Sequence, residues 1–413
     1  MIVKTSQFIT LFVFIILPLY VFVNAIPASN PGFVKIHLRR VHTSEIDPGL
    51  LSLLKRDPQG KEYINNYEDL RYTSSMIIGG QNISLLIDTG SSDLWVPSVY
   101  CSSSACTNGS RYDPAKSTTY KPLPVPNNFT LSYDDGSAIN GFKATETVTI
   151  GGLSITQQPF GVVTTFNSNG FRGGGVMGIK FSPSRRFNAT GVIQTMKAQK
   201  VINKALVGIH LGATKVNAND ASYVTFGDIP NEYANSISYN KVVENNRWTI
   251  SMSDILLDGN SLGIKAITLV DTGAALIYGP SSQVIALHGK LSGSSFSNNI
   301  WWIPCDTKSV ISIVLNGIPY EINPLEFVKR RNSTTGLCRS GIQQQPRTNI
   351  TSWTLGHPFL TNVIAAFDYD NLQIGFASTL SGTETPGNGP VNGNNKGNDN
   401  GNFSKKSESS PNF

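Results

Sequence analysis

Apolar residues in this chain fall in short runs broken by Gly, Asn, Ser and Pro, with little of the three-to-four spacing that marks amphipathic helices. The pattern predicts strands over Thr73–Ile78, Ile83–Ile87, Phe129–Tyr133, Thr145–Ile150 and Tyr223–Phe226. Only Thr190–Gln199 and Ser281–Leu291 read as helices. The expected class is therefore all-β. Two regions stand apart. Phe8–Val23 is an apolar run behind Lys4, and the segment from 379 to 413 is rich in Gly, Asn and Ser, too polar to order itself by burial.

One stretch organises the rest. Leu85-Leu86-Ile87 runs like a buried strand into Asp88, Thr89 and Gly90 turn the chain, and Leu94-Trp95-Val96 carry it back into apolar surroundings. A carboxylate at the end of a buried strand is costly without a partner. The pattern recurs at Leu269-Val270-Asp271-Thr272-Gly273, which points to an internal duplication that brings two loops face to face. Downstream of each loop lies a further short segment that ends in glycine, Gly175-Val176-Met177-Gly178 and Trp353-Thr354-Leu355-Gly356.

The paired Asp-Thr-Gly segments, with Ser-Ser-Asp-Leu-Trp-Val-Pro-Ser after the first, resemble the catalytic loops of pepsin-like aspartic proteases. The resemblance runs from about Tyr72 to Ser378. It implies a bilobal acid-protease fold with a cleft between two similar β lobes, and an aspartic endopeptidase made as a zymogen. Gly178 and Gly356 would permit close backbone approach beside each loop. Phe171-Arg172-Gly173-Gly174-Gly175 lacks the acidic residue many relatives carry there.

Composition agrees. At 413 residues, with 39% hydrophobic and 15% charged, the chain can form two domains with a sizeable core. The formal charge of +6 is uneven, because residues 1–56 hold six basic residues against two acidic ones. No basic stripe with interleaved aromatics marks the body, so nucleic acid is not an expected partner. Phe8–Val23 followed by Asn24-Ala25 reads as a secretory signal cleaved after Ala25; a membrane anchor usually needs about 20 apolar residues. The C-terminus has no apolar tail of the kind a lipid-anchor signal requires.

Four cysteines suit an oxidising compartment and permit three connectivities. Cys101 and Cys106 are close enough to close a small loop, leaving Cys305 and Cys338, and both spacings resemble disulfides of the pepsin-like family. A four-thiolate metal site would usually show Cys-x-x-Cys pairs, which are absent. Sequons at Asn82, Asn108, Asn128, Asn188, Asn332, Asn349 and Asn402 fit secretion.

The expected organisation is a signal peptide over 1–25 and a propeptide over 26–56, with an alternative end at about 61. An N-terminal lobe over 57–231, a C-terminal lobe over 232–378 and a tail over 379–413 follow. Val34–His42 alternates apolar and basic residues, as an inhibitory prosegment paired to enzyme carboxylates would; a solvated linker is the plainer alternative. Lys55-Arg56 is a dibasic processing candidate, and Lys61 a loose match to the zymogen lysine that reaches the catalytic carboxylates.

Asp88 and Asp271 are the candidate catalytic pair. Two carboxylates at close range share one proton, so together they supply an acid and a base for water attack, and neither cofactor nor metal is required. Thr89 and Thr272 would tie the loops together, Gly90 and Gly273 would leave room, and Ser91 would donate to the first carboxylate. The second loop carries Ala274 where a hydroxyl residue is commonest; losing that donor predicts activity reaching to less acidic pH.

Phe129–Ser137 resembles the flap that closes over bound peptide. Tyr133 would reach toward the Trp95 indole, with Asp135 and Gly136 at the hairpin tip. An ordinary surface hairpin is the alternative. An acidic flap residue at Asp135 suggests acceptance of Lys before the scissile bond.

Two rival functions can be set beside this one. Gly259-Asn260-Ser261-Leu262-Gly263 satisfies the nucleophile motif of serine hydrolases, with His288 and His357 downstream, but its flanks read strand-turn-strand. His210, His288 and His357 are scattered, without a zinc-protease pair. A non-catalytic peptide-binding protein on the same fold is the second rival; intact Asp-Thr-Gly loops oppose it. The expected partners are extended peptides and the chain's own propeptide. A monomer is expected, secreted or delivered to a vacuole.

Overall fold

In the computed structural model, the described residues are 61–67, 71–107, 109–133, 136–167, 174–181, 187, 189–217, 220–347 and 350–379. The signal, propeptide and tail segments, Asp135 and the stretch 171–173 lie outside them.

Four strands open the first half: β1 (Lys61–Tyr67), β2 (Arg71–Ile78), β3 (Gln81–Asp88) and β4 (Leu94–Pro97). β1 pairs antiparallel with β2 and with Tyr223–Phe226, and β2 pairs with β3. β3 alternates exposed or half-buried with buried residues until its end, where Ile87 and Asp88 are both buried. β3 then lies parallel to Val176–Gly178, with Asp88 opposite Gly178, and β4 lies antiparallel on the other side of that strand.

The second half repeats this weave. Ala266–Val270 lies parallel to Trp353–Leu355, with Val270 opposite Leu355, and Ile277–Gly279 returns antiparallel to it at Tyr278 and Thr354. The sequence duplication is thus a duplication of structure.

A further sheet region joins the halves. Leu206–His210 pairs with Val363–Asp368 over five positions, and Val363–Asp368 pairs with Gln373–Ser378. The chain is all-β and bilobal. Its main core cluster includes Met76, Leu85 and Ile87 from one half with Trp248, Ile313 and Phe359 from the other, all at most 2% exposed.

Most elements match the pattern read from sequence, with shifted ends. Tyr223–Phe226 is a strand as expected, and the helices run Val192–Ala198 and Ser281–Lys290. The strand expected at Thr145–Ile150 begins earlier, at Ala138, and runs beside Leu153–Asn167. Its register slips between Asn140 and Gly141, where a Cβ on Gly141 would lie 2.1 Å from the Val162 carbonyl oxygen. That bulge breaks the alternation by which strands are recognised.

Both disulfides form between the spaced pairs, Cys101–Cys106 and Cys305–Cys338. Lys61 is the first residue of β1, opposite Thr225, so its backbone is part of the sheet that joins the halves. The reading of Lys61 as a prosegment lysine gains no support from that position.

Candidate active site

Both Asp-Thr-Gly loops leave the ends of buried strands and meet. Thr89 N–H donates to Thr272 Oγ1 at 3.0 Å, and Thr272 N–H donates to Thr89 Oγ1 at 3.0 Å. Each hydroxyl then donates across the halves, Thr89 to the Val270 carbonyl and Thr272 to the Ile87 carbonyl, both at 2.8 Å. Each threonine is buried, at 0% and 1% exposed, so all four bonds are shielded from water.

The glycines leave space for the opposite carboxylate. A Cβ on Gly90 would lie 2.7 Å from Asp271 Oδ2. A Cβ on Gly273 would lie 2.6 Å from Asp88 Oδ1 and 3.1 Å from Asp271 Oδ1, so these two oxygens flank one small space. Any side chain at either position would occupy it.

The two carboxylates are held differently. Asp88 accepts from Gly90 N–H at 2.8 Å and from the Ser91 hydroxyl. Asp271 accepts from Gly273 N–H at 2.8 Å. Ala274 carries no hydroxyl, and its carbonyl accepts from His357 N–H at 2.9 Å. Asp88 is 7% exposed, whereas Asp271 is half-buried.

The neighbouring strands come as close as glycine allows. A Cβ on Gly178 would lie 2.5 Å from Asp93 N, and one on Gly356 would lie 2.2 Å from the Ala274 carbonyl oxygen. Gly175 also has φ +137°, in the region side chains avoid.

Beyond the loops, Asn128–Ser132 and the strand from Ala138 form a hairpin. Gly136 sits near its tip with φ +84°, and Tyr133 N–H donates to the Ser137 carbonyl at 2.8 Å. Trp95 Nε1 donates to the Tyr133 hydroxyl at 2.5 Å, fixing the hairpin to β4. On the opposite side, burial raises the Tyr278 phenol above its usual range. Arg339 partly offsets that rise and Asp271 adds to it, so the Tyr278 phenol feels the charge of the second carboxylate.

Three contributors carried no signal in the sequence. Trp248 Nε1 donates at 3.1 Å to the Ile179 carbonyl, which also accepts from the Tyr369 hydroxyl, while Ile179 N–H holds the Asp88 carbonyl at 2.8 Å. His357, 1% exposed, donates from Nε2 to the Thr272 carbonyl at 2.8 Å. No local pattern announces contacts between residues so far apart in the chain.

The serine-hydrolase constellation does not assemble. Ser261 lies opposite Leu256 in a tight strand pairing, and its hydroxyl is bonded to Asp254. His288 bonds the Val284 carbonyl and Ser340 Oγ, each at 3.0 Å. Of the sequon residues, Asn82 and Asn128 are exposed and Asn332 is half-buried; Asn108, Asn188, Asn349 and Asn402 lie outside the described residues.

Comparison with known proteins agrees with this geometry. The family model described as eukaryotic aspartyl protease matches residues 71–379. Pepsin A of Bos taurus is 31% identical over 329 residues, spanning 76% of this chain and 86% of the relative. Cathepsin E-A of Xenopus laevis is 29% identical, spanning 78% of this chain and 82% of the relative. A probable aspartic-type endopeptidase CTSD of Arthroderma benhamiae is 29% identical, spanning 78% and 64%. A match of that breadth, over two halves that repeat one weave, places this chain in the eukaryotic aspartyl protease family, the hydrolases that act as aspartic endopeptidases.

Proposed function

We propose that the chain is a secreted aspartic endopeptidase, made as a zymogen, in which Asp88 and Asp271 activate a water against an extended peptide. The observation that carries this reading is the crossed pair of threonine bonds, which brings two carboxylates to either side of one small space. The ionised carboxylate takes a proton from the water as it attacks the scissile carbonyl. The protonated one donates to the carbonyl oxygen, and the proton then passes to the leaving amine. The Thr89 and Thr272 bonds limit how far the carboxylates can drift apart, so the pair is set before substrate arrives.

The remainder of the reading concerns segments outside the described residues. Residues 1–25 direct the chain into the secretory path, residues 26–56 act as an inhibitory propeptide, and processing follows Arg56. Asn82 and Asn128 are exposed enough to carry glycans. Asp135 favours Lys before the scissile bond. Loss of that preference in Asp135→Ser is expected, and unchanged cleavage after Lys would remove the assignment.

The deciding experiment digests a denatured protein from about pH 3 to about pH 7 with acid-activated wild type and Asp88→Asn. Activity that needs acid, is blocked by a statine-type inhibitor and is absent from the variant is expected. Activity that survives in Asp88→Asn would overturn the dyad.

A further inference from the structure

The second carboxylate lacks the hydroxyl that Ser91 gives the first, yet it is tied to a side chain no motif assigns. The Thr272–Gly273 peptide group makes two bonds in opposite directions. Its N–H donates to Asp271 Oδ1 at 2.8 Å, and its carbonyl accepts from His357 Nε2 at 2.8 Å. A carbonyl has no proton to give, so Nε2 carries one in every charge state of the ring. A donor on the carbonyl of a peptide makes the N–H of that same peptide a stronger donor. The imidazole therefore acts on Asp271 through one peptide unit.

We propose that His357 is a positioning residue for Asp271, serving the second carboxylate in place of the hydroxyl that Ala274 lacks. The ring is fixed on three sides. Its backbone N–H bonds the Ala274 carbonyl at 2.9 Å, its Nε2 bonds Thr272, and its face or edge meets Tyr72 of β2 at 4.7 Å and 81°. His357 and Tyr72 are both 1% exposed, so this contact links the second loop to the first half of the chain away from solvent. Tyr72 faces the ring from β2, and Asp271 lies one peptide away. The asymmetry is a property of this pair of loops: Ser91 supports one carboxylate directly, and His357 supports the other at one remove.

The inference rests on the dyad reading, so its test carries Asp88→Asn as a separate arm; an active Asp88→Asn would overturn that reading and the proposal with it, whereas an inactive Asp88→Asn beside an unchanged His357→Leu overturns the proposal alone. His357→Leu fills similar space without a donor, and His357→Gln keeps an amide N–H close to the Nε2 position. Each is compared with wild type on a chromogenic peptide, with the concentration of competent enzyme set by titration with a statine-type inhibitor. In His357→Leu, kcat per titrated site is expected to fall about ten-fold with KM within about two-fold, and the acid limb of the profile to rise by about half a pH unit. His357→Gln is expected to recover most of kcat, and Ala274→Ser placed in His357→Leu to restore the acid limb in part. A His357→Leu enzyme that melts earlier but keeps the wild-type kcat and pH profile per titrated site would overturn the proposal and leave a packing role.

Should His357→Leu not fold, nitrogen NMR of the imidazoles in wild type gives the same decision. A protonated Nε2 whose signal moves when the inhibitor fills the dyad supports the coupling, and a signal indifferent to the inhibitor refutes it.

Discussion

Trp248 holds the carbonyl of Ile179 through its indole N–H at 3.1 Å, across 69 positions of sequence. Ile179 follows the strand beside the first loop, and its N–H bonds the Asp88 carbonyl. One turn of backbone thus connects the first carboxylate to an aromatic cluster in which Trp248 meets Phe181, Phe367 and Tyr369 at 4.7, 5.3 and 5.0 Å. Trp248→Phe removes one of two donors to Ile179 and leaves a void, and it should cost about 2–3 kcal/mol in denaturant unfolding. The Tyr369 hydroxyl keeps the carbonyl paired, so kcat should fall only by roughly two- to five-fold.

The crossed threonines call for a sharper result. Thr89→Val keeps the shape but deprives Thr272 N–H of its acceptor and the Val270 carbonyl of its donor. Orphaning buried groups of this kind costs about 1–3 kcal/mol, and loosening the dyad should lower kcat roughly ten-fold or more. Thr89→Ser retains the hydroxyl and should recover most of both. Unfolding curves and kcat per titrated site, measured on the pair, separate the two effects.

His288 sets a pH dependence on stability that is separate from the chemistry. Burial lowers its imidazole from 6.5 to about 4, with the bond to the Val284 carbonyl acting in the opposite direction. Below 6.5 the unfolded chain takes up a proton that the folded chain resists. The folded state therefore keeps its full advantage above 6.5 and loses it as pH falls through about 4. The loss should be on the order of 1–3 kcal/mol. His288→Gln gives up the stack on Trp301 at 4.4 Å, so it should be less stable at neutral pH yet lose less on acidification. Melting temperatures at about pH 7 and about pH 4 decide the point, and equal slopes would count against it.

Asp220 should behave in the same sense at lower pH. Burial raises its carboxyl, but the hydrogen bonds from His210 and from Ala213 N–H outweigh burial and hold it below 3.8. Its contribution is complete above 3.8 and disappears as pH falls through the lower folded value, so Asp220→Asn should flatten the melting profile in strong acid.

Ala274→Thr should act in the opposite direction to His357→Leu. Ala274→Thr offers Asp271 the hydroxyl it lacks, which favours its charged form. The kcat/KM profile should move toward acid by about half a pH unit. An unmoved profile would mean that the hydroxyl position does not tune this pair.

The loops and their duplication were legible because apolar run, Asp, Thr and Gly are contiguous. The hairpin that carries Tyr133 and Gly136 and the cysteine spacings were legible for the same local reason. Glu146 shows what was not. It is 0% exposed and accepts from Tyr112 at 2.8 Å, from the hydroxyls of Ser117 and Thr119, and from Thr147 N–H. In the sequence it is one acidic residue among threonines, Ala144-Thr145-Glu146-Thr147, which suggests an exposed strand face. Tyr112, Ser117 and Thr119 lie more than twenty positions away, and only the fold brings them to it. His357 was hidden for a related reason, since a histidine after Leu-Gly looks the same whether it fills a core or grips a peptide.

The space that Gly90 and Gly273 leave for one another's acid has a consequence for how the molecule can fail. If the two carboxylates act as a pair, neither half alone makes a site, because each gives the room that the other's acid fills. Partial damage cannot leave a half-active lobe behind. Turnover on this reading reports the joining of the two halves as directly as it reports chemistry, and a molecule with one half unfolded should be silent rather than slow.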